Sequence, residues 1–199
     1  MKLFKWWAVF TKADMTKIWI DNSFVPVTLM RLLDQEIIRF KIVETDGYNA
    51  VVIWVNKFTK NEKIKFKDIM EYRVDDTNLL KWLEIWKSIN IDLLESMKTI
   101  GLTTTSKGKW FQWPIKRHNT HGMPATHGHK FTRVLGSMGN RKPRRTMRWH
   151  PGSWQMGNET TSLRSINIVD RFEIEGKSYI AVKWSIPGRK NNLVKVYFH

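Results

Sequence analysis

Residues 16–30 read TKIWIDNSFVPVTLM. Two short apolar runs rich in β-branched and aromatic residues flank Asp21, Asn22 and Ser23, the pattern of two strands joined by a tight turn. Working outward, residues 38–43 and 50–55 form a second such pair, separated by Glu44, Thr45, Asp46 and Gly47. Toward the C-terminus, 165–172, 178–184 and 193–198 give three more strand candidates. Glu175, Gly176 and Lys177 break the first two, and Pro187, Gly188 and Arg189 the last two. Short strands at this spacing predict a mainly-β chain, with a small barrel built from both ends of the sequence.

Between these ends the pattern changes twice. Over 77–97, Leu79, Leu80, Leu83 and Trp86 fall at helical spacing behind a cap at Asp76 or Thr77, while residues 88–94 also alternate well enough for a strand. The local reading is a helix to about Lys87 with a strand after it, inside an α+β insertion. Beyond it, residues 96–158 contain no Asp or Glu. Residues 101–158 hold eleven Lys or Arg, five of the six His, eight of the eleven Gly and four of the six Pro. With few aliphatic side chains and a glycine or proline every few positions, this stretch predicts a long irregular arm. Loops of this length inside compact domains are usually functional.

The whole chain has 199 residues, a net charge of +16 and no cysteine. That length suffices for one domain with an extension. The positive excess exceeds anything a fold needs and points to a polyanionic partner, nucleic acid first. Without thiols there is no disulfide framework and no thiolate zinc site. The apolar patch near Trp6 is shorter than a secretory apolar region, so it reads as mature protein with no import segment. The run at 50–55 falls far short of the roughly 18 residues a membrane span needs, so no membrane partner is expected.

The chemistry sits in the acid-free segment. TSKGKWFQWPIKRHN at 105–119 interleaves Lys107, Lys109, Lys116 and Arg117 with Trp110, Phe111 and Trp113, and closes on His118 and Asn119. Cations neutralise phosphates, glycine admits close approach, and aromatic rings stack on unpaired bases. The competing reading is a solvated loop whose rings tuck back onto the barrel. Arg141, Lys142, Arg144, Arg145 and Arg148 form a second cluster around Pro143, spaced too irregularly for one helix face and suited to phosphate and base-edge contacts. A nuclear targeting signal is the alternative there. His127, Lys130, Arg133, Asn140, His150 and Trp154 complete the expected RNA-binding set.

His118, His121, His127 and His129 raise the question of a metal, but no carboxylate or thiolate lies nearby in sequence to close a site, so no metal and no cofactor is expected. Neither paired carboxylates nor a phosphate-cradling loop with its lysine and hydroxyl is present, which argues against an enzyme.

Four ordered blocks carry a specific resemblance: TSKGKWFQWPIKRHN, PATHGHKF at 124–131, GSMGN at 136–140 and QMGNE at 155–159. DMTKIW, VPVT, DGYNAVVI and IPGRKNNLVKV agree at the two ends. The chain resembles the bacterial-type ribosomal protein L-three family of the large subunit over nearly its whole length, with 56–86 weakly matched. The resemblance implies a closed barrel of the translation-protein kind at 1–55 plus 160–199, a small α+β insertion at 56–100, and an RNA-binding arm at 101–159. It places a strand rather than a helix near 88–94. It also implies binding to large-subunit ribosomal RNA near its 3′ end early in assembly, with the arm directed at the peptidyl transferase centre, where RNA is the catalyst. Neighbouring large-subunit proteins are the implied protein partners, and a homo-oligomer is not expected. A free-standing nucleic-acid-binding regulator is the rival reading.

The sequence departs from the family pattern at glycines. Trp110 and Trp113, and Trp149 and Trp154 near the MGN block, stand where the pattern has glycine, and Asn140 stands where some relatives carry a methylated glutamine. A glycine approached closely by RNA does not become tryptophan without a rearrangement. Either the rings fill space that trimmed RNA leaves, or the arm's path has shifted. The eleven tryptophans, with abundant Lys, Ile, Asn and Phe, suggest a divergent organellar ribosome: mitochondrial matrix first, plastid or bacterial cytoplasm as alternatives.

Overall fold

A computed structural model describes residues 7–55, 68–74, 89 and 97–198. The chain divides into two units, residues 1–105 with 160–199 and residues 106–159.

The first unit begins with the hairpin on which the fold was read. Strands β1 (Trp7–Ile20) and β2 (Ser23–Leu32) pair antiparallel from Phe10↔Leu32 to Ile20↔Ser23. Asp21 and Asn22 both have positive φ, 47° and 56°. That geometry matches the right-handed twist of the two strands, and short polar side chains tolerate it. Strands β3 (Gln35–Lys41), β4 (Ala50–Val55) and β5 (Asp68–Arg73) follow, with a single helical turn α1 (Val43–Asp46) between the first two. Strand β6 is Thr99–Thr105. In the second unit come β7 (Phe111–Gln112), the one-turn helix α2 (Pro114–His118) and β8 (Trp154–Gln155). Strands β9 (Thr160–Ile174), β10 (Lys177–Lys183) and β11 (Leu193–Phe198) end the chain.

Six strands close on one another in the order β1-β11-β6-β9-β10-β2, and β2 returns to β1. Phe10, Met30, Ile100, Leu102, Ile180, Val182, Val194 and Val196 are buried together inside this ring. A separate three-stranded sheet, β3-β4-β5, buries Ile37, Val51, Ile53, Val55 and Tyr72 with Val9 and Leu33. Buried Gln35, in β3, ties the sheet to barrel strand β1 by accepting the Val9 amide through Oε1 at 3.0 Å. Lys12 is also buried, and its ammonium donates to the carbonyls of Ile186 (2.6 Å) and Gly188 (3.3 Å).

The mainly-β expectation holds, with every strand candidate of the two ends present. Pairing departs from the expected boundaries in two places. Residues 35–41 and 50–55, assigned to the barrel, form their own sheet with 68–73. Residues 99–105, assigned to the insertion and the arm, are barrel strand β6, paired to β11 and β9. Alternation marks a strand but does not name its partner. TIGLTTT also carries too few large apolar residues to announce burial, although Ile100, Gly101, Leu102 and Thr104 are all buried. The helix-or-strand stretch of 77–94 lies outside the described residues except at Ile89, whose amide donates to the Gln35 carbonyl at 3.3 Å.

Candidate nucleic-acid interface

The second unit, Ser106–Glu159, contains all twenty residues expected to touch RNA. Its two ends zip together. The Ser106 amide donates to the Glu159 carbonyl (2.9 Å), the Lys109 amide to Met156 (2.8 Å), and the Met156 amide to Trp110 (3.0 Å). Strands β7 and β8 extend this stem through Phe111↔Gln155 and Gln112↔Trp154. Gly157 makes it possible: its φ is 73°, and a Cβ there would stand 2.1 Å from the Lys107 carbonyl oxygen. Only glycine fits such an approach. The Gln112 side-chain amide caps the bend by donating to the Lys109 carbonyl.

Helix α2 follows the stem. Pro114 occupies its first turn, where a missing N–H costs nothing. Lys116, Arg117 and His118 fall in its last turn, at the negative end of the helix dipole, and Asn119 ends it at φ 54°. Arg117 reaches across to the Gly152 carbonyl at 3.0 Å and sits 3.0 Å from His118 Nε2. These contacts bring the 105–119 motif against the 150–155 segment. The Met123 amide donates to the Thr132 carbonyl at 3.2 Å, closing a loop that presents His127 and Lys130. Beyond it the chain through Arg133, Asn140, Arg141, Lys142, Arg144, Arg145 and Arg148 is irregular and exposed.

Eighteen of the twenty expected residues are exposed, and Arg117 and His150 are half-buried. Ion pairs among the described residues, Arg39–Asp46, Lys41–Glu71 and Lys190–Asp14, all lie in the other unit. Glu159 is the sole acid within 106–159, so the eleven Lys and Arg of this unit have one internal counter-charge between them. Phe111, Trp113 and Trp154 are 57%, 52% and 65% exposed. The surface is therefore cationic with open aromatic faces, which suits phosphates and unstacked bases. The reading in which these rings pack away is not what the unit itself shows. Among the described residues no cluster of three or more His, Asp or Glu could hold a metal ion.

Sequence reasoning overlooked two cations of the first unit. Arg164 and Lys183, with Asn167 and Trp184, line an open cavity of about 420 Å³ between β9 and the end of β10. Lys183 Nζ stands 5.7 Å from the Trp184 ring centroid. A strand residue's charge carries no sequence cue to a pocket.

The chain thus combines a mainly-β unit with a cationic, nearly acid-free irregular one. No protein-family model matches the chain. It is 33% identical over 197 residues to large ribosomal subunit protein uL3 of Thermosipho melanesiensis, covering 93% of this chain and 94% of that protein. It is 34% identical over 196 residues to large ribosomal subunit protein uL3 of Borrelia hermsii, with 93% of both chains covered. The chain belongs to the large ribosomal subunit protein uL3 family.

Proposed function

We propose that this chain is a structural constituent of the large ribosomal subunit, with residues 106–159 as an arm that binds ribosomal RNA. The observation that carries the reading is the open charge of that unit: eleven Lys and Arg against one acid, while the ion pairs among the described residues lie outside it. Self-repulsion on that scale is relieved by a polyanion, and counterion release from RNA supplies the driving force.

In this reading the barrel of residues from both chain ends anchors the protein near the 3′ end of the large-subunit RNA. The 105–135 segment, with Lys107, Lys109, Lys116, Arg117, His118, Asn119, His127, Lys130 and Arg133, forms the entry of the arm. The 136–156 segment, with Asn140, Arg141, Lys142, Arg144, Arg145, Arg148 and His150, lies nearest the peptidyl transferase centre. Catalysis there is the RNA's, and neighbouring large-subunit proteins cover the rest of the surface. Both relatives come from bacteria, which draws the compartment from the mitochondrial matrix toward the bacterial cytoplasm.

A binding comparison tests the reading against a free-standing regulator. The purified chain is titrated with folded large-subunit RNA and with short single-stranded oligonucleotides at matched salt. Preference for the folded RNA is expected. Equal or tighter affinity for the oligonucleotides would favour the regulator.

A further inference from the structure

Three tryptophans share a backbone conformation that tryptophan resists. Trp110, Trp149 and Trp184 have φ of 58°, 65° and 72°, in the left-handed region where a Cβ crowds the following carbonyl. Polar turn formers fill most other such positions, among them Asp21, Asn22, Asn119, Asn158 and Asn191. A bulky side chain held there is a genuine outlier. Packing offers no compensation, because the three residues are 87%, 96% and 61% exposed. Trp19 shows the contrast: it sits in extended β1 with its ring edge-on to Phe24 at 4.6 Å. Two of the three, Trp110 and Trp149, stand where the resemblance drawn above implies glycine. Trp184 lies outside those motifs, so its backbone is an independent observation.

Gap filling and a shifted path both leave the left-handed backbone unexplained, since neither requires it. Glycine explains it directly. The codon UGA differs by one base from tryptophan's UGG and by one base from glycine's GGA. A cell whose transfer RNA reads UGA as glycine places no side chain where a tryptophan reading places an indole.

We infer that residues 110, 149 and 184 are glycine in the chain as its own cells make it, and that they mark points where a partner's backbone comes closest. Each position adjoins a cation: Lys109, Arg148 and Lys183 precede them, and Arg164 shares the Trp184 cavity. A bare backbone beside a cation admits a phosphodiester chain that a protruding indole would hold away. This second half rests on the RNA-binding reading, and the first does not.

The residue identities are read by mass. The chain is immunopurified from a lysate of its own cells, digested and sequenced by tandem mass spectrometry. Glycine is expected at all three positions, and tryptophan at any one of them overturns the assignment. For the close approach, equal amounts of the tryptophan chain and the W110G/W149G/W184G chain compete for a limiting quantity of large-subunit RNA. About ten-fold enrichment of the glycine chain on the RNA is expected, equivalent to 1.4 kcal/mol. Equal incorporation overturns the close approach, and gap filling requires the opposite enrichment. If neither chain binds the RNA, the RNA-binding reading falls and the close approach falls with it, while the mass result stands.

Discussion

Gly157 lies against Lys107 so closely that a Cβ on the glycine would stand 2.1 Å from the lysine's carbonyl oxygen. The whole stem of the basic unit is threaded past this contact. Gly157→Ala therefore adds both a steric clash and the strain of a left-handed φ, a cost on the order of 1–3 kcal/mol. Hydrogen exchange should show lost protection at the Lys109 and Met156 amides. Retained protection at both would mean the stem does not depend on this approach.

Lys12 closes the β1 side of the barrel from within. Its ammonium is bound to the carbonyls of Ile186 and Gly188, so Lys12→Met strips a charged donor from buried acceptors. The expected loss is about 2–3 kcal/mol, from the range for hydrogen bonds to charged groups. A lower urea midpoint with an unchanged slope is the predicted signature. No shift in midpoint would show that the carbonyls find other donors.

Stability should depend on pH through the β3–β5 ion pair. Hydrogen bonds from Lys41 and Tyr48 hold the Glu71 carboxyl below its ordinary 4.5. The Glu71 and Tyr48 hydrogen bonds hold the Lys41 ammonium above its ordinary 10.5. The Glu71 contribution is present above 4.5 and is lost as pH falls through the lowered value. The Lys41 contribution is present below 10.5 and is lost as pH rises through the raised value. Lys190 holds Asp14 down in the same way, through a 2.6 Å contact. Thermal melts should plateau between these limits, and Glu71→Gln should shallow the acid limb without abolishing it. An acid limb identical to the parent's would count against the pair.

Arg144, Arg145 and Arg148 are exposed and have no acid near them in sequence. Their joint change to Glu should weaken large-subunit assembly while leaving the barrel's melting transition in place. If all three contact phosphates, the slope of log K against log salt should fall in magnitude by about 2–3. Normal subunit yield would remove this cluster from the RNA interface.

Much of the scaffold was legible because strands announce themselves. The β1–β2 turn at Asp21 and Asn22, and β10 and β11, follow from alternation and turn chemistry alone. Their pairing was not legible: β6 joins the barrel, and β3 with β4 leaves it, through contacts between residues far apart in sequence. The basic unit was legible by composition, since a missing class of residue shows without any fold. The stem that holds it was hidden. Gly157 is one glycine among eleven until Lys107 is placed beside it, and Gln112 carries no signal of the carbonyl it caps. Arg164 and Lys183 gave no cue because nothing in the sequence brings β9 and the end of β10 to one cavity. The left-handed backbone at Trp184 could be seen only in three dimensions.

The most direct test of the central claim uses the tagged chain in its own cells. A lysate is separated on a density gradient, and RNA crosslinked to residues 106–159 is sequenced. Comigration with the large subunit, with crosslinks near the 3′ end of its RNA and in its catalytic domain, is the predicted result. Migration in small complexes carrying varied RNAs would contradict the account.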